Sequence, residues 1–133
     1  MPYLQLDVPS HYAADVKQHL AHRLGNLYAS IMQTAPGIVT VAFRELAEGS
    51  LWQCGEGDPK PASVLKCDIR RGRSAEQRAW LAKALIGACV EALGLSPESL
   101  SVAFTQHAGG EVGFRIDGGP AADWTPSEAE VSM

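Results

Sequence analysis

The chain has 133 residues, 46% of them hydrophobic and 20% charged, which is enough for one globular domain with a real core. The formal net charge of −4 and the lack of a basic run with interleaved aromatic residues argue against a nucleic-acid surface. No apolar stretch reaches the roughly 18–20 residues of a membrane span, and no basic region with an apolar signal core opens the chain. We therefore predict a cytoplasmic protein that binds neither nucleic acid nor membrane.

The cysteines and histidines give little sign of a disulfide or a metal site. Cys54, Cys67 and Cys89 are odd in number and lack a C-x-x-C spacing, which fits reduced thiols. His19 and His22 lie about one turn apart on a predicted helix, but no carboxylate or thiol motif accompanies them. A solvated helix face is the favoured interpretation of this pair, and we predict no metal site.

The first half of the chain has the pattern of a strand, a helix, a strand and a loop. Alternation predicts a strand over Tyr3–Val8, and helical spacing of apolar residues predicts a helix from about Tyr12 to Met32 that Ser10 is positioned to cap. A β-branched run predicts a second strand over Ile38–Phe43. The turn-rich stretch ELAEGSLWQCGEGDPKP follows.

The second half repeats this order. A strand is predicted over Ala62–Ile69, followed by a helix that begins with a capping-box pattern at Ser74 and Gln77 and ends before Gly94. A second β-branched strand is predicted over Leu100–Phe104. The expected buried stripes of the two helices are Val16, Leu20, Leu24, Leu27 and Ile31 in the first, and Leu81, Leu85, Ala88 and Ala92 in the second.

Two consecutive β-α-β units, residues 2–60 and 61–120, with a tail over 121–133, predict a single α/β domain over residues 1–133. Long crossovers imply parallel strands within each unit, and joining the units gives a four-stranded sheet with two helices on one face. We expect the other face to carry alternate apolar side chains and to need a partner that buries it. The tail is expected to dock through Trp124 or to fray.

Three features of the sequence resemble the tautomerase superfamily. They are Pro2 at the start of a strand, GRSAEQ at Gly72–Gln77, and the paired strand-and-glycine-rich endings VAFRELAEGSLWQCG and VAFTQHAGGEVGFRIDGG. The resemblance covers residues 2 to about 120. It implies an α+β fold in a homotrimer and a cofactor-independent enzyme whose N-terminal proline, exposed by removal of Met1, acts as general base or acid.

The resemblance also implies the substrate-binding residues. Arg70 and Arg73 have the R-x-G-R spacing of cis-3-chloroacrylic acid dehalogenase and would bind a substrate carboxylate beside Pro2. An α-amino group ordinarily titrates near about 7.7–8.0, and an apolar pocket and nearby guanidinium groups would lower the pKa of the Pro2 amine. The further residues implied as an apolar wall over the site are Leu51, Trp52, Val112 and Phe114.

Each of these assignments has a purely structural alternative. Proline is tolerated as the first residue of a strand, RRGR is compatible with a solvated basic turn, and the four apolar residues would also suit interface packing.

The pattern also departs from parts of the family. Thr40 and Ser101 stand where 4-oxalocrotonate tautomerase has its second substrate arginine. Phe114 stands where the dehalogenases need a carboxylate, although Glu111 is close, and Tyr28 lies near the position of their catalytic histidine.

Together these residues favour a tautomerase of a small enol or α-keto carboxylate. The alternatives are a decarboxylase, hydratase or dehalogenase acting on a small acid at the same site. An alternative of another class is a non-catalytic binding protein in which Pro2 is a relic.

Overall fold

The part of the chain that the computed structural model describes, residues 2–108, contains two β-α-β repeats. The elements, in chain order, are β1 (Tyr3–Val8), α1 (Ala14–Met32), β2 (Thr40–Glu45), β3 (Trp52–Gln53), β4 (Lys60–Pro61), β5 (Ser63–Arg70), α2 (Ala75–Leu93) and β6 (Leu100–His107). Single 3-10 turns, Pro36–Ile38 and Pro97–Ser99, precede β2 and β6. Neither described helix combines the length and apolar character needed to cross a bilayer.

The four longer strands form one mixed sheet in the order β2-β1-β5-β6. β1 pairs with β2 in parallel, β5 pairs with β6 in parallel, and the two central strands are antiparallel. Tyr3 lies opposite Thr40 in the first repeat and Val64 lies opposite Ser101 in the second, at a constant offset of 61 residues (64 − 3 = 101 − 40). The predicted duplication and the parallel pairing within each unit are therefore confirmed. The short β3 and β4 form a separate antiparallel hairpin.

Both helices pack on one face of the sheet, as predicted. Alternate residues of β1 and β5 are buried in a cluster that also contains the apolar stripes of the helices. Its fully buried members include Leu4, Leu6, Val8, Leu20, Leu24, Leu65, Cys67, Ile69, Leu81 and Leu85. The expected stripe of α2 needs one correction, because Ala92 is exposed and Cys89 and Leu93 are buried instead.

The opposite face of the sheet is polar, so the prediction of alternate apolar side chains was wrong. On β1 this face carries Tyr3, Gln5 and Asp7, which alternate with the buried leucines. The Gln5 amide donates to Asp7 Oδ1 at 3.1 Å, and Arg44 Nε forms an ion pair with the same oxygen at 3.1 Å. A sheet with one hydrated face shows this alternation of apolar and polar residues. Apolar burial therefore gives no independent argument for a partner on this face.

The start of α1 differs from the prediction. The helix begins at Ala14, its N-cap residue is Ala13, and no side chain caps it, so the assignment of Ser10 as the cap was wrong. Glu45 at the end of β2 instead accepts a hydrogen bond from the Tyr12 backbone N–H at 2.6 Å. The same carboxylate pairs with Lys17 Nζ at 2.7 Å. An acidic side chain from the next strand thus holds the first turn of the helix.

We expect Glu45→Gln to destabilise the protein at neutral pH and to have a smaller effect in acid. The hydrogen bonds from Lys17 and from the Tyr12 N–H hold the pKa of the Glu45 carboxyl below its ordinary value of 4.5. A carboxylate with a depressed pKa in the folded state contributes stability that is lost as the pH falls through that pKa. Urea midpoints of both proteins at about pH 7 and about pH 3 test this. A difference that persists unchanged at the lower pH would contradict it.

Candidate active site

One end of the sheet brings together Pro2 and the RRGR turn. Pro2 is buried directly before β1, and its carbonyl oxygen accepts a hydrogen bond from the Thr40 N–H at 3.1 Å. Because Tyr3 lies opposite Asp68 in the antiparallel pair, the end of β5 at Arg70 reaches this same edge. The C-terminus of α1 and the N-terminus of α2 also lie here, since α1 precedes β2 and α2 follows β5. We call this region the proline end of the sheet.

The RRGR turn is held at both sides by hydrogen bonds. Gly72 has a φ of +113°, a conformation that L side chains rarely adopt, which explains a glycine between the arginines. The exposed Arg71 donates its backbone N–H to the His107 carbonyl at 2.9 Å. Arg78 donates to the Arg73 carbonyl at 2.7 Å. The turn is therefore fixed between β6 and the first turns of α2.

Arg73 lies against the C-terminus of α1. Its Nη2 donates to the Met32 carbonyl at 3.1 Å, and Gln77 Nε2 donates to the Ile31 carbonyl at 2.9 Å. α1 has no basic residue in its own last turn, so Arg73 supplies a cation where the helix dipole is negative. The sequence contained no local signal for this contact, because the arginine and the helix end lie in different repeats.

Two polar atoms in this region are buried without a hydrogen-bond partner among residues 2–108. They are Arg73 Nε and Thr34 Oγ1. Buried donors in folded proteins almost always have a partner, and an unpaired one points to a water molecule or a ligand. The proline end therefore has an unused guanidinium donor close to the helix terminus.

Arg70 lies at the same end of the sheet but on the opposite face. Alternation along β5 puts Ile69 in the core and Arg70 on the polar face, where it lies opposite His107 of β6. His107 Nε2 lies 3.8 Å from Asp68 Oδ1 on that face. Arg70 and Arg73 leave the backbone on different sides of the sheet. Their joint binding of one carboxylate therefore stays a prediction.

Leu51 and Trp52 lie far from Pro2 on the same chain. Trp52 is 51% exposed, donates its indole N–H to the Gly49 carbonyl at 2.8 Å, and lines an open cleft of about 620 Å³ with Pro9. Pro9 follows β1 and Pro2 precedes it, a separation of about 20 Å along the strand. An apolar wall over Pro2 would therefore need these two side chains from another copy.

Other residues singled out in the sequence are buried, exposed or outside the described part of the chain. Met1, Glu111, Val112, Phe114 and the tail with Trp124 lie outside the described residues. Tyr28 is buried in α1, with 4% of its surface exposed.

Burial raises the pKa of the Cys67 and Cys89 thiols to about 12, so both stay protonated near neutral pH. The exposed His22 contacts the Asn26 amide at 3.0 Å.

A search with the sequence finds no match to a family model or to a curated protein. The structure, by contrast, is similar to many solved structures. N1, a member of the cis-3-chloroacrylic acid dehalogenase family, is 22% identical with a TM-score of 0.77 and covers 96% of both chains. Pt0534, inactivated by 2-oxo-3-pentynoate, is 23% identical with a TM-score of 0.74 over 90% of this chain and 95% of its own. Native fused 4-OT is 22% identical with a TM-score of 0.75 over the same two fractions.

The names of these structural neighbours state several different enzyme activities. Malonate semialdehyde decarboxylase is 19% identical with a TM-score of 0.69, covering 85% of this chain and 90% of its own. A further neighbour is macrophage migration inhibitory factor of Toxoplasma gondii. These proteins belong to the tautomerase superfamily. At identities below 25%, the structural similarity establishes a shared fold. The chain has the fold of the tautomerase superfamily.

Proposed function

We propose that this protein is a cofactor-independent keto-enol tautomerase of a small enol or α-keto carboxylate. The observation that carries the proposal is that Pro2 and the RRGR turn meet at one end of the sheet, although Arg70 lies 68 positions after Pro2 in the sequence (70 − 2). A buried amine beside cationic side chains has the setting that a general base needs at neutral pH. Removal of Met1 would expose that amine.

Pro2 would move one proton within the substrate. Its free secondary amine takes the proton from the enol hydroxyl. The resulting ammonium delivers a proton to the carbon of the enol double bond that does not carry the oxygen. Burial disfavours the ammonium form, and so does a nearby guanidinium group, so both effects lower the pKa of the amine from the usual range near about 7.7–8.0. The reaction is an isomerisation, so it needs no co-reactant.

Arg73 would anchor the substrate carboxylate. Its Nη2 already donates a hydrogen bond to the Met32 carbonyl, whereas its Nε is buried without a partner among the described residues. A carboxylate oxygen would satisfy that N–H with a charge-assisted hydrogen bond. Arg70 would supply the second cationic contact at the edge of the sheet. In this proposal Arg73 both caps α1 and binds the substrate.

We further propose that the active assembly is a homotrimer. Neighbours of this fold include fused 4-OT in symmetric and asymmetric trimers. The β3–β4 hairpin carries Leu51 and Trp52 at the end of the sheet opposite Pro2. In a trimer the hairpin of one copy would cover the Pro2 of the next, and the two residues would then form the predicted apolar wall.

Decarboxylation of a β-keto acid is the second candidate. One neighbour of the same fold is malonate semialdehyde decarboxylase, whose 19% identity to this chain equals that of one of the 4-OT structures. A protonated Pro2 and two arginines would serve decarboxylation as well as tautomerisation. Hydration or dehalogenation needs an added group that activates water, and the residues expected to supply it lie outside the described part.

The proposal is tested by following the ketonisation of phenylenolpyruvate and 2-hydroxymuconate in the ultraviolet. The enzyme is the full chain, with loss of Met1 verified by intact mass. The matched control is the same chain with one extra residue before Pro2, because an amide nitrogen has no basicity. Activity in the processed protein alone supports the proposal. If the processed protein is no faster than buffer, tautomerisation is excluded, and release of CO₂ from a 3-oxo acid is the next assay.

A further inference from the structure

The outer face of α2 carries an exposed tryptophan. Trp80 has 63% of its surface exposed and is larger than any of its neighbours on that face. Ala79 beside it and Gly87 two turns later are also exposed. Small residues around a large aromatic side chain leave room for a second backbone to approach closely. An exposed tryptophan is unusual on a solvated helix face, which ordinarily carries charged and polar residues.

The first repeat provides an internal comparison for this face. α1 and α2 both have 19 residues and occupy equivalent positions on the sheet, 61 residues apart (75 − 14). At that offset Trp80 corresponds to His19 and Gly87 to Asn26, and both of those residues are exposed. The fold therefore does not require an apolar side chain at the position of Trp80.

Charged residues of opposite sign flank Trp80 along the same stripe. Glu76 lies one turn before it and Lys83 one turn after it, and both are exposed. A second α2 lying antiparallel about a two-fold axis near Ala79 and Trp80 would bring each Glu76 opposite the Lys83 of the other copy. The same axis puts each Trp80 over the Ala79 of the other copy. The stripe is thus self-complementary in both charge and shape, as a two-fold interface requires.

We propose that the outer face of α2 binds the α2 of a second copy of this chain in an antiparallel, two-fold arrangement. Trp80 is the central contact, and two Glu76–Lys83 pairs flank it and set the register. The contact uses the helix layer, whereas an assembly through the sheet and hairpins would use other surfaces. It is therefore independent of the proposed tautomerase activity and adds to any trimer.

The test measures molar mass by sedimentation velocity over a range of protein concentrations. Wild type is expected to form an assembly with about twice the mass of the Trp80→Ser variant, since a closed two-fold contact joins two equal units. His19→Ser in α1 is the matched control and leaves the mass unchanged. Because Trp80 is exposed, the variant keeps its fold, which circular dichroism checks. Equal masses for wild type and Trp80→Ser at every concentration would overturn the proposal.

Charge exchange tests the antiparallel register. Glu76→Lys and Lys83→Glu each put like charges opposite one another, and each is expected to weaken association about tenfold or more. The double variant restores opposite charges at both positions and is expected to associate as wild type does. If the double variant associates no better than the single ones, the antiparallel arrangement is wrong. Association of the chain with an unrelated partner alone, with no self-association, would also overturn the proposal.

Discussion

Pro2→Ala is expected to lower kcat/KM for enol ketonisation by about 10²-fold or more, with little effect on the fold. A positioned general base contributes about 10²–10⁴-fold to a proton transfer. Removal of Met1 from this variant would still leave an amine, but it is a primary amine, and no pyrrolidine ring holds its nitrogen in place. Some activity should therefore remain. The initial rate of phenylenolpyruvate ketonisation, measured with proteins of verified intact mass, gives the result.

A covalent probe distinguishes loss of the base from loss of binding. 2-Oxo-3-pentynoate carries an electron-poor alkyne, to which an unprotonated amine adds with formation of a nitrogen–carbon bond and transfer of its proton to carbon. We expect labelling on the N-terminal peptide of the wild type and much slower labelling of Pro2→Ala. The matched control is Pro97→Ala, an exposed proline in the turn before β6, which should keep full activity. Unchanged activity in Pro2→Ala would place the base elsewhere.

Much of the fold could be predicted because its signals are local. Alternation in β1 and β5 and the apolar stripes of α1 and α2 depend on neighbouring residues. Because the two repeats have the same order of elements, the four-stranded sheet could be predicted by pairing two equal β-α-β units. Boundaries were less accurate where tertiary contacts decide them. The start of α1 is held by Glu45, a residue of the following strand, so no local cap marks it.

The polar face of the sheet was misjudged although its signal is also local. Gln5, Asp7, Lys66 and Asp68 stand at alternate positions of the two central strands, so the face could have been predicted as polar. A sheet needs burial only where its side chains are apolar.

The candidate site was predictable only in part. The order of the repeats suffices to bring Pro2 and the RRGR turn to one edge. The double contact of Arg73 and Gln77 with the carbonyls at the end of α1 could not be read from the sequence, because it joins residues more than 40 positions apart. Arg78 fixes the turn by a contact closer in sequence, since its side chain donates to the carbonyl of Arg73, five positions before it.

Substitutions of Arg73 are expected to separate its two roles. Arg73→Met removes both the hydrogen bond to the Met32 carbonyl and the proposed carboxylate contact. We expect a loss of about 1 kcal/mol in the free energy of unfolding, since a cation at a helix C-terminus contributes on that scale. For kcat/KM we expect a fall of about 10²–10³-fold, because the anchor holds the substrate in the orientation that Pro2 requires. Urea denaturation and initial rates measure the two effects.

Arg73→Lys should retain the stabilising charge at the end of α1 and lose much of the proposed binding of the substrate carboxylate. A lysine keeps a positive charge near the end of α1, so most of the stability should remain. Its ammonium lacks the planar fork that binds a carboxylate with two parallel hydrogen bonds, so KM should rise by about tenfold while kcat changes less. The exposed Arg71→Met is the matched control in the same turn and should alter neither quantity. If Arg73→Met lost stability but kept its kcat/KM, Arg73 would be a helix cap alone, and the substrate carboxylate would have to bind through Arg70.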